Sequence, residues 1–389
     1  MFDKRSGSGL TWKRFQHKGI ADAAPFAGST FGESHSSWHR GKWADVTGRN
    51  GPVTLDDVAR VSGVSQAAAS RALNGRKGVR PDVRDRVERV AQSLGYRPNR
   101  AARNLASGRS AVIGLVIPSV DLRLDPYGAA VTHAVARAAT ELDQGLMLVL
   151  DTGEPGRSVQ HILRDGLIDG VLVSAVAAGE AWVEQLLSAD LPAVLIGSHP
   201  TRTDVDVVDV ENRESSARIV EHLIETGCRR IATITGPLER VDATHRLNGF
   251  RLAHERHGLT VDEELVAHGD FSRASGAKAA EDLVTLRPDG LFAANDEMAL
   301  GAMRVFQAAG LRIPEDVAVA GFDGTSAEEQ VEPSLTTAHQ PFAEMARAAV
   351  GELLARIDGE PPTGLRLIEP DLTIGGSSQR LEEVSRPPP

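Results

Sequence analysis

The sequence predicts a small all-α head joined to an α/β core of two doubly wound parallel-sheet lobes. Three features carry that prediction. Short capped helices follow one another between Val53 and Leu94, a strand-helix alternation runs for roughly 270 residues from Val112, and the charge divides unevenly between the two parts. Up to Ser110 there are 20 Lys and Arg against 9 Asp and Glu, whereas from Ala111 onward there are 23 against 44. A basic front on an acidic bulk is the electrostatic footprint of a nucleic-acid-binding head on a body that avoids nucleic acid. With 389 residues, the chain has length for two or three compact units.

The same composition excludes other classes. No stretch approaches ~18 uninterrupted apolar residues, so a membrane span is not expected. Cys228 is the single cysteine and cannot form an internal disulfide, and no charged segment followed by an apolar run opens the chain. Secretion therefore has no support, and the cytoplasm, in contact with the nucleoid, is the expected compartment.

Residues 1–51 lack periodicity and are rich in Gly and Ser, which predicts a disordered leader. Trp12, Trp38 and Trp43 nevertheless place three of the four Trp there, and Val46 is a candidate alternative start shortly before the first helix. The head is expected over 52–98. Thr54-Leu55-Asp56-Asp57 is a capping box, in which Thr54 accepts from the Asp57 amide while Asp57 reaches back, and a helix to about Val61 follows. Ser62-Gly63-Val64 makes a turn, Ser65 caps a second helix from Gln66 to about Leu73, and Asn74-Gly75 ends it. A third helix starts at Pro81, with Val83, Val87, Val90 and Leu94 on one face and Gly95 closing it. Residues 99–110 carry a short cap-plus-helix signal, too short to be stable alone.

The core is expected over 111–375, with strands at Val112–Ile117, Leu146–Leu150, Gly170–Ser174, Ala193–Gly197, Ile231–Thr235, Leu291–Ala294 and Val317–Gly321. Helices fall at Ala129–Leu142, Glu214–Glu225, and around Phe250 and Met298. A disordered tail is expected over 376–389. Ligands of such folds favour the carboxyl ends of the strands, in the cleft between lobes.

Helix, Gly-containing turn and second helix together read as a helix-turn-helix, whose second helix can enter the major groove of double-stranded DNA. Gln66, Ala67 and Arg71 are the groove-facing candidates: Gln pairs with adenine, Arg with guanine O6 and N7, and an Ala methyl meets the thymine methyl. Ser65 and Asn74, near the helix ends, suit phosphate contacts that set register. Thr54 and Ser70 complete the expected contact set on the head.

The segments Val-Thr-Leu-Asp-Asp-Val-Ala, Gly-Val-Ser, Ser-Arg-Ala-Leu-Asn and Gly-Tyr-Arg-Pro-Asn, between Val53 and Asn99, closely resemble the head of the lac repressor family of bacterial transcriptional regulators. Later segments continue the resemblance through Thr373, over about four-fifths of the chain: Gly-Cys-Arg-Arg-Ile-Ala at 227–232, Ala-Asn-Asp-Glu-Met-Ala-Leu-Gly-Ala-Met-Arg at 294–304, Gly-Phe-Asp at 321–323 and Leu-Thr-Thr at 335–337. Singly each is weak, but their order and spacing are specific.

The resemblance implies a hinge helix that orders on operator DNA and a two-lobed core like the periplasmic sugar-binding proteins. It makes Leu105 a wedge between central base pairs and Ala102 its minor-groove neighbour; apolar wedges bend a duplex in this way, Arg100 and Arg103 supply charge, and Asn99 is a further expected DNA contact. It also implies a homodimer or tetramer on a pseudo-palindromic operator. In the core it places Arg246, Phe271, Asn295 and Asp323 in the cleft, with Tyr127, Asp296 and Gln340 as further members. That group suits a sugar: carboxylate and amide take paired hydroxyls, Arg donates as a fork, and Phe271 covers an apolar ring face. A purine or nucleoside effector is the alternative, and a sugar-transport receptor is a more distant one. Asn295 and Asp296 also fit a simple helix cap before Glu297, and Arg246 a surface ion pair.

Several residues depart from the family pattern. Ala68 and Ala69 stand where Thr and Val are usual, Arg80 replaces a small hydroxyl cap, and Gly197 occupies a position where some sugar-binding relatives carry an acid. Catalysis finds no footing: no phosphate loop follows Ile113-Gly114-Leu115, no Cys/His metal spacing occurs, and no nucleophile elbow is present. Neither cofactor nor metal is expected. His222, His245, His254 and His257 lie on helix-like stretches and are expected to be solvated.

Overall fold

In the computed structural model the described residues are 53–75, 78–97, 109–118, 126–151, 166–174, 176, 181–199, 201–202, 204–325 and 332–380. The expected leader with its three Trp, the hinge residues Asn99, Arg100, Ala102, Arg103 and Leu105, and 381–389 lie outside them. Two compact units divide at Asn99.

The first unit holds α1 (Leu55–Ser62), α2 (Gln66–Leu73) and α3 (Pro81–Leu94). Its capping box is complete: Thr54 Oγ1 accepts from the Asp57 amide at 3.3 Å, and Asp57 Oδ2 accepts from the Thr54 amide at 3.0 Å. Hydrogen bonds from Thr54, with Arg60 adding to them, draw the Asp57 pKa down to about 2. Gly63 ends α1 at φ 70°, a left-handed conformation that a side chain would oppose. Arg80 makes no side-chain cap on α3 and pairs instead with Asp82, so Pro81 alone preorganises that start. Val58, Ala59, Ala69, Ala72, Val87 and Ala91 form the core. Four of these six are alanines, which let the short helices approach where a larger side chain would hold them apart.

The second unit is built as two lobes. Lobe one carries a six-stranded, all-parallel sheet in the order β11-β5-β4-β3-β1-β2. Its strands are β1 (Val112–Pro118), β2 (Gly145–Asp151), β3 (Gly170–Ser174), β4 (Ala193–Ile196), β5 (Asp206–Val210) and β11 (Leu365–Ile368). The fully buried patterns of β3 and β5 are those of strands covered on both faces. The helix α4 (Pro126–Glu141) packs with α10 (Phe342–Ile357) on one face, while Trp182, Val183 and Leu186 of α5 (Ala181–Leu187) cover the other.

Lobe two holds a four-stranded parallel sheet, β7-β6-β8-β9, from β6 (Ile231–Thr235), β7 (Val266–His268), β8 (Gly290–Ala293) and β9 (Ala318–Ala320). Around it lie α6 (Asn212–Glu225), α7 (Val241–Arg256), α8 (Arg273–Leu286) and α9 (Asp296–Ala308), and an antiparallel pair, β10 (Thr337–His339) with β12 (Asp371–Thr373), flanks it. The chain passes between lobes three times, at Glu211, at Gln340-Pro341 and at Glu369-Pro370. Lobe one is therefore completed by α10 and β11, which come from far along the sequence.

Two expectations need correction. The segment from Gly376 to Arg380 is not a loose tail: Ser377 Oγ donates to the Val319 carbonyl at 2.6 Å and accepts from the Thr336 amide at 2.9 Å, and Ser378 joins Thr336 and His222. Short polar residues there satisfy backbone groups of lobe two that would otherwise be buried unpaired. His254 is not solvated either. It is 2% exposed, bonded to the Phe250 carbonyl and tilted against the Phe250 ring at 4.3 Å. No helix among the described residues is long and apolar enough to cross a membrane.

Candidate functional site

On the head, the burial pattern of α2 separates packing from contact. Ala69 and Ala72 are buried, whereas Ser65, Gln66, Ala67, Arg71 and Asn74 are exposed on one side. Ser65 uses its hydroxyl to cap the helix, accepting from the Ala68 amide at 3.2 Å. Arg71 is loosely held by the Ala67 carbonyl, and Asn74 donates to Ser70 Oγ. Thr54 is exposed at the start of α1 with its side chain committed to the capping box.

In the core, the candidate side chains stand at the carboxyl ends of parallel strands or on the helix turns that follow them, where a doubly wound sheet leaves a crevice. Arg246 anchors the group. It is 3% exposed, so the surface-pair reading fails. Its Nε donates to Asn212 Oδ1 at 2.9 Å, and its Nη1 donates to the Ala294 carbonyl at 2.6 Å and to Asp323 Oδ1 at 3.0 Å. The guanidinium also lies over the Phe322 ring at 3.8 Å, a cation-π contact. Gln340 Nε2 donates to the same Asp323 oxygen at 2.7 Å. Burial pushes the Asp323 carboxyl up to about 6, against the opposing pull of Arg246 and Gln340.

A second set surrounds the first. Arg240 forks onto Asp242 at 3.1 and 2.6 Å and lies 5.0 Å from the Phe271 ring centre. Burial works against the Asp242 carboxylate, but Arg240, with Arg246 behind it, holds its pKa below the usual range. From lobe one, Asp209 accepts from the Ser198 amide and hydroxyl at 3.0 and 2.6 Å, and from Asn212 Nδ2 at 3.2 Å. Burial raises its pKa. Tyr127 packs edge-on against Phe342, and burial raises its phenol pKa as well.

Tyr127, Gly197, Asp209, Asp242, Arg246 and Gln340 together line a cavity of about 20 Å³, room for one water-sized molecule. Phe271 and Asp323 are the two members with left-handed backbones, at φ 69° and 115°. Strain of that kind is held only where the surroundings enforce it, as at binding sites. Gly236 is part of that enforcement, because a Cβ there would collide with the Phe271 ring.

The expected residues divide into two groups. Arg246, Gln340 and Tyr127 line the cavity, Asp323 stands behind them bonded to Arg246 and Gln340, and Phe271 flanks it through Arg240. Asn295 caps α9, its Oδ1 accepting from the Met298 amide, and its Nδ2 steadies Phe271 by donating to the Phe271 carbonyl. Asp296 is corrected from ligand group to strut. It is 1% exposed, and its carboxylate accepts from the Gly324 and Thr325 amides and from the Thr337 hydroxyl. Asp209, Ser198, Asn212, Arg240 and Asp242 were not anticipated. Asp209 had a signal, being a polar residue near the end of the otherwise apolar strand β5; Asp242, in the first turn of α7, had none.

Two family models match the chain: "Bacterial regulatory proteins, lacI family" over residues 54–99 and "Periplasmic binding protein-like domain" over 220–378. The regulator CelR of Thermobifida fusca is 38% identical over 327 residues, covering 81% of this chain and 95% of that protein. Catabolite control protein A of Priestia megaterium is 31% identical over 304 residues, covering 77% and 90%. Among solved structures, a CelR complex with cellobiose superposes with a TM-score of 0.66 at 34% identity, covering 84% of this chain and 99% of that one. A lac repressor dimer bound to operator and an anti-inducer gives 0.70 at 28% identity, covering 85% and 100%. With an exposed recognition helix on a capped head and a polar cleft in a two-lobed core, the chain belongs to the lacI family of bacterial regulatory proteins and is a DNA-binding transcriptional regulator.

Proposed function

We propose that the protein is a repressor, binding a pseudo-palindromic operator as a homodimer or tetramer and controlled by a sugar held between the lobes of its core. The observation that carries the sugar reading is the buried Arg246-Asp323-Gln340 junction, with Asp209 and Asp242 beside it. Three carboxylates and a fork of donors match adjacent hydroxyls, each of which both donates and accepts. The likeness to CelR, solved with cellobiose, adds support for a glucose-type disaccharide. The reading assigns ligand capture to the cleft and no catalysis, and it places the protein in the cytoplasm on the nucleoid.

The regulatory step follows from the distribution of the contacts. Asp209 and Ser198 belong to lobe one, Arg246, Asp242 and Asp323 to lobe two, so a ligand touching both sets favours one spacing of the lobes over another. A differential affinity of ~1–3 kcal/mol between two dispositions suffices for allosteric control. A thermal-shift screen of sugars and purines, followed by fluorescence anisotropy on operator DNA with and without the hit, tests this. Stabilisation by sugars, with altered operator affinity, is expected; stabilisation by purines alone would overturn the sugar while leaving the regulator.

A further inference from the structure

Building on the sugar reading, we propose that the effector is an oligosaccharide whose second pyranose unit occupies a groove running from the cleft toward the β11 edge of lobe one. The cavity at Asp209 and Arg246 is about 20 Å³, whereas the groove beside it is about 530 Å³, within the ~300–1,000 Å³ of small-molecule sites. Both are lined by Ser198 and Arg240, so the groove continues the cleft and is not a separate depression.

The groove has the layout of a pyranose, which offers a C–H face inside a rim of hydroxyls. Its floor is aliphatic, from Val205, Val207 and Leu365 of lobe one and Leu238 and Val241 of lobe two. Leu238 is 44% and Leu365 59% exposed, so each lobe leaves one apolar side chain open to water in the same groove. At the rim stand Glu239, Thr244 and His245, an acceptor, a hydroxyl and an imidazole that suit ring hydroxyls. The floor spans both lobes, so a sugar unit seated there bears on their spacing, and the lobes part for the cavity of about 20 Å³ beside it to admit the first unit.

Calorimetric titration of the full-length protein with two matched pairs, glucose with cellobiose and galactose with lactose, tests the assignment in the wild type and in a Leu238→Ser/Leu365→Ser variant. Both leucines are exposed, and an unchanged melting temperature checks that the variant folds. One disaccharide is expected to bind at least ~10-fold more tightly than its monosaccharide, and the variant to lose about that factor for the disaccharide only. A monosaccharide that binds as tightly as its disaccharide would overturn the groove assignment alone, as would a variant that weakens both equally or neither. Binding of none of the four would overturn the sugar reading together with it.

Discussion

Asp323 Oδ1 receives Arg246 Nη1 at 3.0 Å and Gln340 Nε2 at 2.7 Å, so one oxygen joins a helix of lobe two to a crossover between the lobes. The pair is almost fully enclosed, with side-chain exposures of 3% for Arg246 and 7% for Asp323. Breaking a buried pair from one side strands a charge, at ~3–5 kcal/mol. Arg246→Ala is therefore expected to lower the melting temperature of the core by several degrees, in differential scanning calorimetry. The isosteric Asp323→Asn keeps an acceptor for Arg246 and Gln340 but strands the buried Arg246 charge, so it too should lower the melting temperature. It should spare operator affinity below that temperature while removing the ligand-induced thermal shift. A normal ligand shift in Asp323→Asn would remove that carboxylate from the site.

The raised pKa of Asp323, about 6, fixes two opposite trends with pH. Between about pH 4 and 6 the folded protein holds a proton that the unfolded chain has released, so this group's contribution to folding is fully present at the acid end and is lost as pH rises through 6. Ligand hydroxyls donate to the ionised form, so sugar affinity should rise over the same interval. Titrations at pH 5 and 7 check this, and the rise should vanish in Asp323→Asn.

Arg71 is exposed on α2 and donates to the Ala67 backbone carbonyl, a bond it can exchange for one to a base edge. Arg71→Ala is expected to cost ~1–3 kcal/mol on the operator and little on random DNA. Equal losses on both, in competition anisotropy at fixed salt, would make it a phosphate contact.

The Thr54-Asp57 box closes the first turn of the head. Thr54→Ala should cost about 1 kcal/mol of head stability, read by urea denaturation. The lowered Asp57 pKa, about 2, means its contribution is present above about pH 4 and lost as pH falls toward 2. An Asp57→Asn head should show a flatter acid limb.

Ser377→Ala removes the acceptor of the buried Thr336 amide and the donor to Val319. An unpaired buried group costs ~1–3 kcal/mol, so a clear fall in melting temperature is expected. An unchanged value would mean that the 376–380 segment is not needed by lobe two.

What the sequence disclosed follows the range of the interactions involved. The head's caps, at Thr54, Ser65 and Gly63, are local contacts over three or four residues, and each was readable in advance. Seven strands between Val112 and Gly321 were readable because continuous apolar runs between turns mark buried parallel strands, whereas β5, its run broken by Asp206 and Asp209, and the three-residue β7 escaped. The edge strand Leu365–Ile368 escaped, being exposed at three of four positions. Asp209, Asn212 and Asp242 escaped for another reason: their meeting depends on which strand ends lie side by side, and no spacing along the chain encodes that. His254 has the surroundings of a surface helix in sequence, and only the packing of α7 turns it inward against Phe250. Asn295 was legible as the helix cap it is, since it follows a strand and precedes a helix.

The threefold crossing between lobes also sets the order in which a nascent chain can fold. The head draws its contacts from about forty neighbouring residues and can close as soon as it leaves the ribosome. Lobe one cannot. Strand β5 pairs with β11, whose residues follow only after most of lobe two has been made. At ~5–20 residues per second, that partner arrives roughly 8–30 s after β5 itself. During that interval Val207 and Val208 form an open sheet edge, which is a template for mispairing with other chains. Chaperone demand during synthesis should therefore concentrate on this half-built lobe, after the DNA-binding head is already formed and before its controlling core exists.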